Sequence, residues 1–284
     1  MTRREIAARN AGSAGGWLWS YAQPLLMVAA YYLVFDVVFA MRLGDNAPTK
    51  KVGAFLVVGA LPWMAFCDTV SRAMNSLVDA GSLLQKSPLP AVLFPVRSAL
   101  ASTVIYAPII LALALVYAPL HRFNLAFVSI VPLIALQLLL SLVLGYLLAL
   151  FAAAMRDTIQ VVAFLFSVGI FLSPVLFPAT MFPQAWRWVL WLNPMSAPVM
   201  GYQAILLQGA WPEWTVWVVT LGWILALTAA LAVVVSRSRD QLAEQGIEQM
   251  YRGCLEPRDA IAAQLDAGEG LQLLAEIIGD CLPA

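Results

Sequence analysis

Charged side chains are scarce in this 284-residue chain: Asp, Glu, Lys and Arg supply 11% of it, against 62% apolar residues. A soluble domain carries about 25% charged and roughly 45–50% apolar residues. A water-covered globule is therefore excluded, because a soluble fold of this length keeps most of its residues in contact with water. Histidine is all but missing. His121 stands alone, so no His-based catalytic pair or metal cluster can be built, and no metal site is expected. Cys67, Cys254 and Cys281 have no metal-ligand spacing, and a reduced state is a simpler reading than a disulfide framework. No glycine-rich phosphate loop ending in Gly-Lys-Ser/Thr occurs, so no nucleotide site of that kind is present. There is no internal repeat, and no soluble domain before residue 236, which argues against an inverted-repeat carrier. Nothing in the chain points to nucleic acid.

What is present is a series of long apolar runs. About 20 mostly apolar residues let a helix cross the hydrocarbon core. Runs at 22–41, 52–74, 99–120, 125–153, 159–177 and 214–235 meet that length. The short alternating segments of a β-barrel are missing, so the expected fold is an all-α membrane protein with six transmembrane helices. Residues 186–207 are apolar too, but Arg187, Asn193-Pro194 and Pro198 interrupt them. Proline removes backbone donors, and lipid-facing backbone must be satisfied. Two short re-entrant outer helices fit this stretch better than a seventh span. The basic N-terminus leads into an apolar stretch longer than a signal-peptide core and without a cleavage site, which reads as a retained first helix.

Charge is unevenly placed. Residues 1–239 hold 14 basic and 7 acidic side chains, and residues 240–284 hold 2 and 9. With the N-terminus in the cytosol, inner segments carry 11 Lys and Arg and outer segments 5, which favours both termini inside. The expected organisation is a cytosolic interfacial helix over 1–21, a six-helix transmembrane domain over 22–239 and an acidic cytosolic tail over 240–284. Six tryptophans between Trp186 and Trp217 cluster at the expected outer interface.

Two acids fall inside spans. Asp68 and Arg72 are four apart on one helix face, and either a gate element or a structural ion pair explains them. Asp36 has no sequence-local partner and is expected to line an aqueous cavity or cap a neighbouring helix. Around it Trp17, Trp19, Tyr21, Tyr31, Tyr32, Phe35 and Phe39 form an aromatic run. Tyr31, Phe35 and Phe39 share a face. Such a stripe suits a sliding sugar chain, whose C–H faces stack on rings, or else simply faces lipid. The inner loop 79–97, DAGSLLQKSPLPAVLFPVR, is too polar to span and suits a surface helix or a partner's groove.

These blocks resemble a known family. REIAARNAGSAGGWLWSYAQPLL is similar to the amphipathic lead-in and first helix of type 2 ABC transporter permeases that export polysaccharide. GALPWMAFCDTVSRAMNSL with its Pro-rich loop resembles their second helix and coupling segment. MRDTIQVVAFLFSVGIFLSPVLFP and WLNPMSAPVMGYQAILL resemble the fifth helix and the re-entrant outer helices. The blocks stand in the family's order over residues 3–239.

The resemblance implies a homodimer of permeases with two separate ATPase subunits, which carry the ATP and Mg, and no cofactor in this chain. It implies a lipid-linked polysaccharide substrate of O-antigen or capsule type, and a bacterial inner-membrane location. By position it makes Arg3, Arg4, Glu5, Gln85, Lys86, Ser87 and Pro88 ATPase contacts. Arg156-Asp157 caps the turn into the fifth helix. Trp17, Trp19, Tyr21, Tyr31, Tyr32, Phe35 and Asp36 face or flank the path, and Pro174, Asn193 and Pro194 shape an outer gate. The stretch beyond SRSRDQL departs from the family and suits a docking appendage or a disordered tail. A drug or small-lipid exporter is the rival reading, although about ten residues between the first two spans leave no room for its outer domain. A membrane-embedded lipid- or sugar-modifying enzyme is a further alternative, but it would need paired carboxylates or histidines.

Overall fold

The computed structural model describes residues 18–43, 48–81, 91–122 and 124–237. Arg3, Arg4, Glu5, Trp17, Gln85, Lys86, Ser87, Pro88 and the acidic tail lie outside these residues, and so do the interfacial and coupling segments expected there. The chain divides into two units, Met1–Leu231 and Ala232–Ala284. Of the second, only the end of the last helix is described.

Among the described residues the regular structure is helical, joined by turns and loops, with one isolated antiparallel bridge between Arg42 and Lys51. Helix α1 runs Leu18–Tyr31 and continues as a π-helical stretch, Tyr32–Val38. Then come α2 (Val52–Asp79), α3 (Leu93–Tyr117) and α4 (Ile130–Ala154). Asp157–Gly169 forms α5, Trp188–Leu192 α6 and Ser196–Gln203 α7. A second π-helical stretch, Ala204–Gln208, follows α7, and Trp214–Arg237 is α8. With their flanking turns, five stretches are long and apolar enough to cross a membrane: Leu18–Val38, Val52–Asp79, Leu93–His121, Leu125–Ala154 and Trp214–Arg237.

The expected fifth span is different. It is not one helix over 159–177: α5 ends at Gly169, and turns carry the chain onward. Pro174 and Pro178 lack backbone donors and drive the residues before them out of helical geometry. At about 1.5 Å per residue the helical part covers roughly 20 Å, short of the ~30 Å hydrocarbon core. The stretch 186–207 holds two short helices, α6 and α7, broken at Asn193-Pro194, and no single long one.

Helix α2 is the centre of the bundle, packed against α1, α3, α4, α5 and α7. In its apolar window 78% of residues are buried, against 6% in the α1 window and 11% in α8. A helix apolar on nearly every side belongs in an interior. Phe55, Val58 and Leu61 meet Ile109 and Ile110 of α3, Leu133 of α4 and Tyr202 of α7 in one cluster. Trp63, Phe66 and Val70 meet Leu140, Val175 and Val199 in a second. Small residues let α2 and α4 touch closely: a Cβ on Gly145 would stand 2.6 Å from that of Ala73.

Buried polar groups tie the layers together. Gln137 of α4 donates through Nε2 to the Pro62 carbonyl at 2.9 Å and accepts from the Tyr202 hydroxyl at 2.7 Å. In a medium without water, such fully satisfied links between helices fix their register.

Candidate translocation path

Polar side chains on α2 lie along one face. Asp68, Ser71, Arg72, Asn75 and Asp79 recur at helical spacing and, with Ser98 of α3, line a groove of about 420 Å³. Arg72 also borders a neighbouring groove of about 540 Å³, walled by Trp19, Ser20, Gln23, Leu26, Met27 and Ala30 of α1. The first groove is hydrophilic, the second is mostly apolar, and Arg72 borders both.

The charge on that side is held in place. Arg72 Nε donates to Asp68 Oδ1 at 2.8 Å, and the Ser102 hydroxyl donates to Oδ2 at 2.7 Å. The Arg72 side chain is 44% exposed and that of Asp68 21%. The carboxylate is thus the inner, fixed partner, and the guanidinium stands toward the groove. An i,i+4 pair of this exposure adds little stability, about 0.3–0.5 kcal/mol. Its larger consequence is to orient the guanidinium fork, whose remaining N–H groups suit planar oxyanions.

Asp36 takes the second of the roles open to it. Its Oδ1 accepts from the Gly53 backbone N–H at 2.7 Å and its Oδ2 from that of Ala54 at 3.2 Å. These are first-turn donors of α2, which have no partner inside the helix. A carboxylate there also meets the positive end of the helix dipole. The Arg42–Lys51 bridge folds the connecting loop so that the π-helical end of α1 reaches the start of α2. Asp36→Ala is expected to destabilise the bundle by about 1–2 kcal/mol, and Asp36→Asn by less. Thermal unfolding in detergent reads both; equal melting of Asp36→Ala and the parent removes the cap.

The aromatic run separates into two sets. Tyr31, Phe35 and Phe39 form a ladder with ring centroids 6.3 and 6.2 Å apart. Tyr21 and Tyr31 pack against the bundle, and the Tyr21 hydroxyl donates to the Val104 carbonyl at 3.3 Å. Trp19 and Tyr32 are exposed, and of these Trp19 borders the groove. Gln23, Ser71, Asn75 and Ser98 were missed in the sequence. For Ser71 and Asn75 the signal was there: each stands three residues beyond Asp68 or Arg72 on the same helical face.

Of the expected outer-gate residues, Asn193 and Pro194 border one crevice, while Pro174 is tied to Gln203. Asn193 Nδ2 donates to the Gly169 carbonyl at 3.0 Å, and its Oδ1 accepts from the Met195 N–H at 3.0 Å. The Pro174 carbonyl accepts from Gln203 Nε2 at 2.6 Å. Asn193 and Pro194 border an apolar crevice of about 330 Å³ with Trp63, Phe166 and Trp223. Asp157 sits in the first turn of α5, where the helix dipole favours an acid. Among the described residues no group of three or more His, Cys, Asp and Glu is placed to hold a metal.

The ABC-2 type transporter family matches residues 1–207 of this sequence. The chain belongs to that family. This ABC-2 chain is 32% identical over 218 residues to the O-antigen export system permease protein RfbA of Myxococcus xanthus, covering 75% of this chain and 81% of the relative. It is 22% identical over 213 residues to an RfbA permease of Klebsiella pneumoniae, covering 74% and 79%. It is 25% identical over 195 residues to the polysialic acid transport protein KpsM of Escherichia coli, covering 68% and 74%. Membership assigns the ABC-2 chain to transport and sets aside the membrane-embedded enzyme. It is a multi-pass membrane protein.

Proposed function

We propose that this chain is the membrane subunit of an ATP-driven exporter that moves lipid-linked polysaccharide, of O-antigen or capsule type, across the bacterial inner membrane. The observation that carries the reading is the similarity to O-antigen export permeases over about three quarters of the chain. The groove supports it: hydroxyls, amides and a fixed guanidinium suit a hydroxylated, anion-bearing chain better than an apolar drug.

In this reading the chain crosses six times, with α5 and its turns as the fifth crossing, α6 and α7 as re-entrant outer helices, and both termini cytosolic. A groove open along one side needs a second wall, and a second copy supplies it, so the channel lies between two protomers. The little-buried faces of α1 and α5 are available for that contact. Trp19, Tyr21, Tyr31, Tyr32 and Phe35 face or flank the path. Asp36 serves it by clamping α1 to α2, and Asp68 with Arg72 forms its polar inner section. Pro174, Asn193 and Pro194 shape the outer gate. Arg3, Arg4, Glu5, Gln85, Lys86, Ser87 and Pro88 of each protomer contact its ATPase subunit, one of two in the assembly, where ATP and Mg bind.

The purified chain alone is expected to hydrolyse no ATP and to co-purify with an ATPase subunit. Deleting its gene is expected to leave polysaccharide on its lipid carrier inside the cell. Normal surface polysaccharide in the deletion strain would overturn the export reading.

A further inference from the structure

A separate groove of about 390 Å³ lies where the chain leaves α7 and begins α8, and Pro48, Thr180, Gln203, Gln208, Trp211 and Glu213 help to line it. Its size falls in the range of roughly 300–1,000 Å³ usual for small-molecule sites. Trp211 is 60% exposed, a large ring that the bundle does not bury. Glu213 is exposed beside it, its Oε2 accepting from the Thr215 hydroxyl at 3.3 Å. Gln203 is the opposite case, only 5% exposed. Its Nε2 is committed to the Pro174 carbonyl, while its Oε1 accepts no hydrogen bond among the described residues. An amide oxygen that takes no donor within the bundle, on the wall of an open groove, can accept from a ligand hydroxyl.

The loop that carries the ring is fixed in advance. Gly209 turns the chain at φ +63°, a left-handed conformation that glycine adopts without strain. Asn124 Nδ2 donates to the Gly209 carbonyl at 2.7 Å, and His121 Nε2 lies 3.1 Å from the Leu206 carbonyl. Trp211 follows this braced turn by two residues. A loop backbone braced before binding costs less entropy than one that a ligand must order.

An exposed indole beside a carboxylate and two amides has the chemistry of a carbohydrate subsite. The C–H face of a pyranose stacks on the indole, and its hydroxyls donate to Glu213 and to Gln203 Oε1. We propose that this groove binds one sugar unit of the exported glycan, with Trp211 as the stacking platform and Glu213 and Gln203 as hydroxyl acceptors. The inference rests on the polysaccharide-export reading and adds a second contact point, apart from the α1–α2 groove.

The test uses the purified permease–ATPase complex in lipid nanodiscs. The probe is short oligosaccharides, cut by mild acid from the surface polysaccharide of the strain that carries the gene. Saturable binding measured by calorimetry is expected to weaken about tenfold in Trp211→Ala. It is expected to weaken in Glu213→Gln as well, and to be largely kept in Trp211→Phe. Trp186→Ala, which removes another exposed indole outside the groove, should bind as the parent does. Equal binding by Trp211→Ala and the parent overturns the subsite, as does a groove that takes tetramethylammonium and not the oligosaccharide. Either result leaves the export reading standing wherever the deletion strain retains its polysaccharide inside; normal export in that strain overturns the reading itself.

Discussion

Gly145→Leu is expected to prevent assembly of the bundle, giving little folded protein in the membrane fraction. Even a single Cβ at this position would meet the Ala73 Cβ at 2.6 Å, with the Val70 carbonyl at 3.4 Å behind it. The side chain has no exit, because α2 and α4 are pressed together along their length and α2 is enclosed by its neighbours. Overpacking a well-filled interior typically costs about 1–3 kcal/mol, and a leucine between two backbones this close lies at the upper end. The smaller change Gly145→Ala should lower the melting temperature measurably. Pairing it with Ala73→Gly returns the methyl group to the same space from the other helix and is expected to restore most of the loss. Melting curves of the parent, both single variants and the pair decide the matter. Additive losses in the pair would show that the contact does not set the α2–α4 distance.

Breaking the Asp68–Arg72 pair should act on transport more than on folding. The pair is partly exposed and contributes little stability, yet it aims the guanidinium at the groove. Arg72→Ala is expected to lower polysaccharide export about tenfold while the protein is made and inserted at normal levels. Lysine in its place keeps the charge but not the planar fork, so partial recovery is expected. The exchanged variant, Asp68→Arg with Arg72→Asp, rebuilds an ion pair with its polarity reversed. If the guanidinium serves the path, the exchange remains export-deficient although it folds. Full export by the exchanged variant would mean that the pair has only a structural part.

Much of this was legible in sequence. The helices at 52–79, 125–154 and 214–237 begin within a residue of their apolar runs, because a bilayer demands length and hydrophobicity and both are written directly in composition. The Asp68–Arg72 pair was legible for a different reason: four residues along one helix bring two side chains together whatever surrounds them. The break between α6 and α7 followed from Asn193-Pro194, a local backbone constraint.

Where sequence fell short, the missing information was non-local. Over 159–177 the apolar run reads as one helix because hydropathy does not register where the chain turns, and its prolines act only through the conformation around them. Asp36 had two roles open until the fold set the π-helical end of α1 beside the first turn of α2, 17 residues later. Gln203 and Trp211 share a groove because a braced glycine turn folds one toward the other, a relation that no spacing rule reports. Composition and periodicity alone determined that this protein lives in a membrane as helices, since those depend on each residue and its near neighbours. Tertiary structure alone decided which polar groups became clamps, which became walls of a groove and which were left open, since those depend on contacts between distant segments.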